Sequence, residues 1–162
     1  RGEVLVGVRE GVGHGQLVNW LRGGARVTAI ERVNARSIDP SQLPAGPYGF
    51  VCVDLSFISL ELVLPALAKF VAHDALLLVK PQFELSPAEI GKGGVVIDPA
   101  LHAKVEQRIR TACADNGLRV VDFFASAITG GDGNREFFVH ACALHAAVAA
   151  RASASTSSTT SS

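Results

Sequence analysis

The sequence predicts an α/β fold: a doubly wound, mostly parallel, Rossmann-like sheet that ends in an antiparallel hairpin. Three observations carry this. Short apolar runs alternate with stretches of helical periodicity along 162 residues, 48% of them hydrophobic, which is about one domain's worth of core. Two of these runs, Phe50 to Ser56 (FVCVDLS) and Leu76 to Glu84 (LLLVKPQFE), each meet one charge, Asp54 or Lys80, where a buried parallel strand would end. The last two runs are separated by a polar, glycine-rich turn, the signal of a hairpin. Ligands of open α/β sheets bind outside the carboxyl ends of the strands, so Asp54 and Lys80 are expected to face one crevice.

In order along the chain, Val4 to Val8 is a short β-branched strand followed by REGVGHGQL. Gly11, Gly13 and Gly15 permit a tight turn and close backbone approach to a ligand, with Glu10 and His14 beside them, before a helix from about Gln16 to Arg22. The spacing is not GxGxxG, and an ordinary strand-to-helix turn is an equal reading. Gly23 and Gly24 close that helix, and ARVTAIE forms a second strand ending at Glu31 and Arg32. Asn34 stands just past it, either as a turn former or beside a nucleoside base. Pro40, Pro44 and Pro47 punctuate the loop that follows.

FVCVD leads through LSFISL into a helix with Leu60, Leu64 and Leu67 on one face, which Pro65 should kink unless it lies near the first turn. After His73 and Asp74 comes the strand ALLLVK. PQFELSPAEIGKGGVVIDP then reads as one long loop of the kind that serves as a lid or binding loop. Asp98 as N-cap and Pro99 at the first position start a helix over about Ala100 to Asp115, with Leu101, Val105, Ile109 and Ala112 on one face. Asn116 and Gly117 end it. LRVVDFFASAI and FFVHACAL are the last strands, making about six in one sheet. Residues 1–145 form the domain, and 146–162, reduced to Ala, Arg, Ser and Thr apart from Val148, are expected to be a disordered tail.

Fifteen basic residues balance fifteen acidic ones, so net charge gives no argument for nucleic acid and any RNA contact must be local. Cys52, Cys113 and Cys142 lie in apolar segments without ligand spacing and read as buried free thiols of a reducing compartment. The five histidines form no metal-binding group. No uncharged apolar stretch approaches ~18 residues and no leader is visible, which points to a cytoplasmic protein without a membrane contact and leaves an organellar leader before Arg1 open. The chain has no methionine and opens in a strand, so it reads as the later part of a longer polypeptide. Its oligomeric state is not legible.

Chemistry centres on Asp54, Lys80 and Glu136, charged residues at strand ends or entries. Desolvation by apolar neighbours disfavours the charged form of a lysine, and nearby carboxylates favour it. Lys80 is accordingly a general base, a fixed ammonium that stabilises developing negative charge, or a structural ion-pair partner. Ser56 and Ser59 lack a GxSxG elbow, which argues against a serine hydrolase.

Taken together, VGHGQL, ERVNAR, VDLSFISL, VKPQFE, GKGGVV with a following DP, and ITGGDGNREFF closely resemble the TlyA (hemolysin A-like) family over about Gly11 to His140. That family comprises ribosomal RNA 2′-O-methyltransferases with an FtsJ-like domain. The resemblance implies an S-adenosylmethionine-binding methyltransferase acting on a ribose 2′-hydroxyl of ribosomal RNA through a Lys-Asp-Lys-Glu tetrad. By motif position Asp54 resembles the aspartate, Lys80 the second lysine and Glu136 the glutamate. Glu10, His14, Asn34 and Asp54 are the implied cofactor contacts, and Lys92 and Arg135 the candidate phosphate contacts. The tetrad's first lysine, the first strand and its glycine-rich loop lie upstream of Arg1 in family order, so strand edges in the core are expected to be exposed. Gly11 stands where the family has an acidic residue, with Glu10 adjacent. The alternative is a non-catalytic RNA-binding or ribosome-associated module with a degenerate cofactor site. A membrane-lytic role has no amphipathic basic helix to support it.

Overall fold

A computed structural model describes residues 5–9, 27–31, 35–38, 41, 46–90 and 92–144. The chain divides into two compact units, Arg1–Gly46 and Pro47–Ser162. In the first, β1 (Leu5–Arg9) and β2 (Val27–Glu31) pair in parallel, Leu5 opposite Val27 and Arg9 opposite Glu31. A 3-10 turn at Ala35–Ser37 follows, with Ala35 and Ile38 buried. The expected helix from Gln16 to Arg22, the glycine turn before it and the serine-rich tail lie outside the described residues.

The second unit contains β3 (Tyr48–Val53), α1 (Leu60–Leu67), β4 (Val71–Val79), the single turns α2 (Pro81–Glu84) and α3 (Pro87–Ile90), α4 (Pro99–Asp115), β5 (Leu118–Thr129) and β6 (Arg135–Ala143). Its sheet has the order β3-β4-β6-β5. β3 and β4 are parallel, and β6 runs antiparallel to both β4 and β5. The C-terminal hairpin is therefore present as expected, with Thr129 opposite Arg135 across its turn. The strands expected in one sheet fall instead into a two-stranded and a four-stranded sheet. Among the described residues β3 pairs with β4 alone.

Local chemistry explains each helix. Ser59 caps α1 by accepting the Glu61 N–H at 3.1 Å, and Leu60, Val63 and Leu64 are buried along one stripe. Pro65 cannot donate to the helix ladder, and α1 runs only two residues past it before a 3-10 turn at Ala68–Phe70. Asp98 accepts the Ala100 N–H at 2.8 Å, Pro99 takes the first position of α4, and Val105, Ile109, Ala112 and Cys113 are buried. Gly117, at φ 74°, turns the chain out of α4 in a conformation that costs glycine little.

Period-two alternation buries Ala75, Leu77 and Val79 of β4 with Phe137, Val139 and Ala141 of β6 on one face. The His102 ring of α4 meets Phe137 there at 5.1 Å. Burying a leucine such as Leu64 or Leu77 in this layer contributes about 1.5–3 kcal/mol. On the other face Leu76, Leu78 and Phe138 are only half-buried.

Several local expectations are corrected. FVCVD is not a fully buried strand: β3 lies at a sheet edge, with Phe50 58% exposed and Cys52 exposed. Of the three thiols only Cys113 is buried, and loss of solvation pushes it up to about 11. β4 begins at Val71, so His73 and Asp74 lie within it, where Asp74 pairs with His140 at 2.8 Å. The long loop after Lys80 contains two helical turns, each started by a proline at its first position.

Candidate active site

Because β3 and β4 are parallel, Asp54 and Lys80 emerge at the same end of the sheet. The Lys80 ammonium meets Asp54 Oδ1 at 2.7 Å and donates to Ser56 Oγ at 2.9 Å. The lysine side chain is 13% exposed and the aspartate 68%, so the cation sits largely out of water and its partner reaches into solvent. A buried ammonium requires such an anion, since desolvation without one costs several kcal/mol, roughly.

β6 begins at this same end. One step beyond the last β4–β6 pair, Val79 with Phe137, Lys80 comes opposite Glu136, and alternation puts both on one face. The ammonium is nevertheless taken by Asp54 and Ser56, not by Glu136. The Glu136 carboxylate lies against Gly130, where an added Cβ would come 2.7 Å from Oε1. Two of the three expected charges are thus in contact, and the third occupies the adjoining ladder position.

The α2 turn connects this pair to its surroundings through every side chain after Pro81. Gln82 Nε2 donates to Asp132 Oδ2 at 2.9 Å. The Phe83 ring lies 5.0 Å from that of Phe57, which is 90% exposed and held at φ 65°, a left-handed conformation unusual for a bulky residue. Glu84, 7% exposed, accepts the Ser59 hydroxyl at 2.6 Å and the Leu60 N–H at 2.9 Å. Burial pushes its carboxyl above the usual range, opposed by these two hydrogen bonds. VDLSFISL and VKPQFE are therefore two halves of one contact network.

A second network holds the hairpin turn. Fully buried Asn134 accepts the Val96 N–H at 2.8 Å and donates to the Gly94 carbonyl at 3.0 Å and to Asp132 Oδ2 at 2.8 Å. The Asp132 carboxyl is held below its usual range, first by the Asn134 N–H and then by its side chain. GKGGVV and GGDGNRE are joined in this way, with Lys92 and Arg135 both exposed.

Glu10, His14 and Asn34 lie outside the described residues. The sequence reading did not identify Phe57, Gln82, Glu84, Asp132 or Asn134, and considered Ser56 and Ser59 only as nucleophiles. Among the described residues no group of three or more His, Cys, Asp or Glu could hold a metal ion. No helix among them is long and apolar enough to cross a membrane.

A mixed α/β sheet with an amine–carboxylate pair at the carboxyl ends of adjacent parallel strands defines the class, an α/β fold of the kind that binds ligands at that edge of its sheet. Within that class the chain belongs to the FtsJ-like methyltransferase family, whose model matches residues 6–142. It is 43% identical over 130 residues to the 16S/23S rRNA (cytidine-2′-O)-methyltransferase TlyA of Mycobacterium tuberculosis, an alignment covering 79% of this chain and 48% of that protein. It is 34% identical over 131 residues to Hemolysin A of Brachyspira hyodysenteriae, covering 80% of this chain and 55% of that one. A solved structure of a provisionally named hemolysin from Streptococcus thermophilus superposes with a TM-score of 0.81 at 35% identity, over 93% of this chain and 58% of the other. The chain spans about half the length of the curated relatives it matches.

Proposed function

We propose that this chain is the catalytic part of an S-adenosylmethionine-dependent methyltransferase that modifies a ribose 2′-hydroxyl of ribosomal RNA in the cytoplasm. The observation that carries the reading is the 2.7 Å contact between Lys80 and Asp54 at the end of two parallel strands, within the matched family region. The donor chemistry suits a cationic cofactor, because Asp54 is 68% exposed and can offer carboxylate oxygen to solvent while it holds Lys80. Glu10, His14 and Asn34 complete the proposed cofactor contacts. The bound cofactor supplies an electrophilic methyl group on a sulfonium.

Lys80, fixed by Asp54 and Ser56, places positive charge beside the ribose oxygen and stabilises the negative charge that oxygen gains as its proton leaves, before that charge is spent on the new O–C bond. Glu136, across the ladder from Lys80, orients that hydroxyl and accepts its proton on a carboxylate oxygen. Phe57 offers an exposed aromatic face beside this site, and a nucleobase released from its stack can rest on it. Lys92 and Arg135, exposed on the loops that Asn134 joins, contact backbone phosphates.

The test is transfer of labelled methyl from S-adenosylmethionine to ribosomal RNA by the full-length protein. Lys80→Ala is expected to lower kcat by about 10²–10³-fold with its folding intact. Undiminished transfer would remove Lys80 from the mechanism.

A further inference from the structure

The segment between Asp54 and Leu60 is tied at both ends to the α2 region. Lys80 holds its first part through Asp54 Oδ1 at 2.7 Å and Ser56 Oγ at 2.9 Å. Glu84 holds its last part through Ser59 Oγ at 2.6 Å and the Leu60 N–H at 2.9 Å. Between the two ties lies Phe57, at φ 65° and 90% exposed. Phenylalanine does not choose this backbone region by itself, so the surroundings must impose it. Burial disfavours a charged carboxyl at the Glu84 position, yet a glutamate stands there with both oxygens engaged by Ser59 and Leu60. Arg108 reaches the Glu84 backbone carbonyl, at 2.8 Å, and steadies the turn from α4.

We propose that Glu84 is a positioning residue for RNA methylation: its carboxylate fixes the far end of the Asp54–Leu60 segment and so holds Phe57 in the left-handed conformation that presents its ring beside Lys80. Glu84 touches neither RNA nor cofactor. It acts through Ser59 and Leu60. The proposal rests on the reading of the site as an RNA methyl-transfer centre.

The experiment uses the full-length protein with ribosomal RNA as substrate. Glu84→Ala removes both tether bonds, and Glu84→Gln keeps an acceptor for the Leu60 N–H. Glu84→Ala is expected to raise the KM for RNA about tenfold with a smaller change in kcat, and Glu84→Gln to restore most of the loss. Phe57→Gly removes both the ring and the need for restraint. In that background Glu84→Ala should change the KM no further, although it still lowers the thermal midpoint. Hydrogen exchange of the 55–60 amides, read without substrate, should rise in Glu84→Ala whatever the activity.

An equal KM effect in both backgrounds, unchanged exchange, or a fall in thermal midpoint with KM unaltered would overturn the proposal. Absence of methyl transfer by the unaltered protein would overturn the functional reading and the positioning role with it. Faster exchange in Glu84→Ala would then show that the tether exists without that role.

Discussion

The two ends of the four-stranded sheet are held together by different forces. Where β3 and β4 finish, long-range polar side chains make the joints: Lys80 to Asp54 and Ser56, Glu84 to Ser59 and Leu60, Gln82 to Asp132, and Asn134 to Gly94 and Val96. Toward the opposite end one polar side-chain pair, Asp74 with His140, is accompanied by backbone and apolar contacts. Leu144 N–H donates to the Gly117 carbonyl at 3.0 Å, the Tyr48 and Phe70 rings lie 6.5 Å apart, and Val71, Leu118 and Ala143 are buried. Apolar burial supplies free energy with little demand on orientation, whereas hydrogen bonds fix direction and add modestly to net stability. The difference teaches that this protein anchors itself at one end and aims side chains at the other.

The sharpest way to break that division is at the apolar end. Leu118→Ala should cost about 2–5 kcal/mol, read as a lower urea midpoint at an unchanged slope. Methyl transfer per folded molecule should stay the same, and a selective loss of activity would erase the distinction between the ends.

Asn134→Ala tests the polar end away from Lys80. It orphans the Val96 N–H and the Gly94 carbonyl, a cost of about 1–3 kcal/mol. RNA affinity should fall, because the loops bearing Lys92 and Arg135 lose their common tie, while titration with S-adenosylhomocysteine should give the unaltered affinity. A loss confined to the cofactor would place Asn134 in a different role.

The smallest effect belongs to α3. Glu89 is held down to about 2, from an ordinary value near 4.5, by the Lys104 ammonium and then by the Ser86 N–H and hydroxyl. A lowered folded value means that its contribution is present above about pH 4.5 and is lost as the pH falls toward 2. The carboxyl resonance of Glu89 should titrate near 2, and the Ser86 amide should shift with it. A midpoint near 4.5 would dissolve the pair.

What the sequence made legible was local. Asp98 with Pro99, Gly117, the hairpin turn and the charges that end β3 and β4 signal themselves within a few residues, and each is found where expected. What it hid depends on partners distant in sequence. Glu84 caps a helix that starts 24 residues earlier, and Asn134 binds backbone 38 and 40 residues away. The exposure of β3 was hidden too, because an apolar run announces a strand without saying whether anything pairs with its second edge.

The central claim is that Lys80 and Asp54 sit where a ribose oxygen is methylated. Alkaline hydrolysis of RNA needs a free 2′-hydroxyl, so the chemistry of the product can decide it. Ribosomal RNA labelled by the full-length protein from S-adenosylmethionine should yield its label in an alkali-resistant dinucleotide, and the Lys80→Ala protein should yield none. Label recovered in a mononucleotide, methylated on its base, would contradict the account.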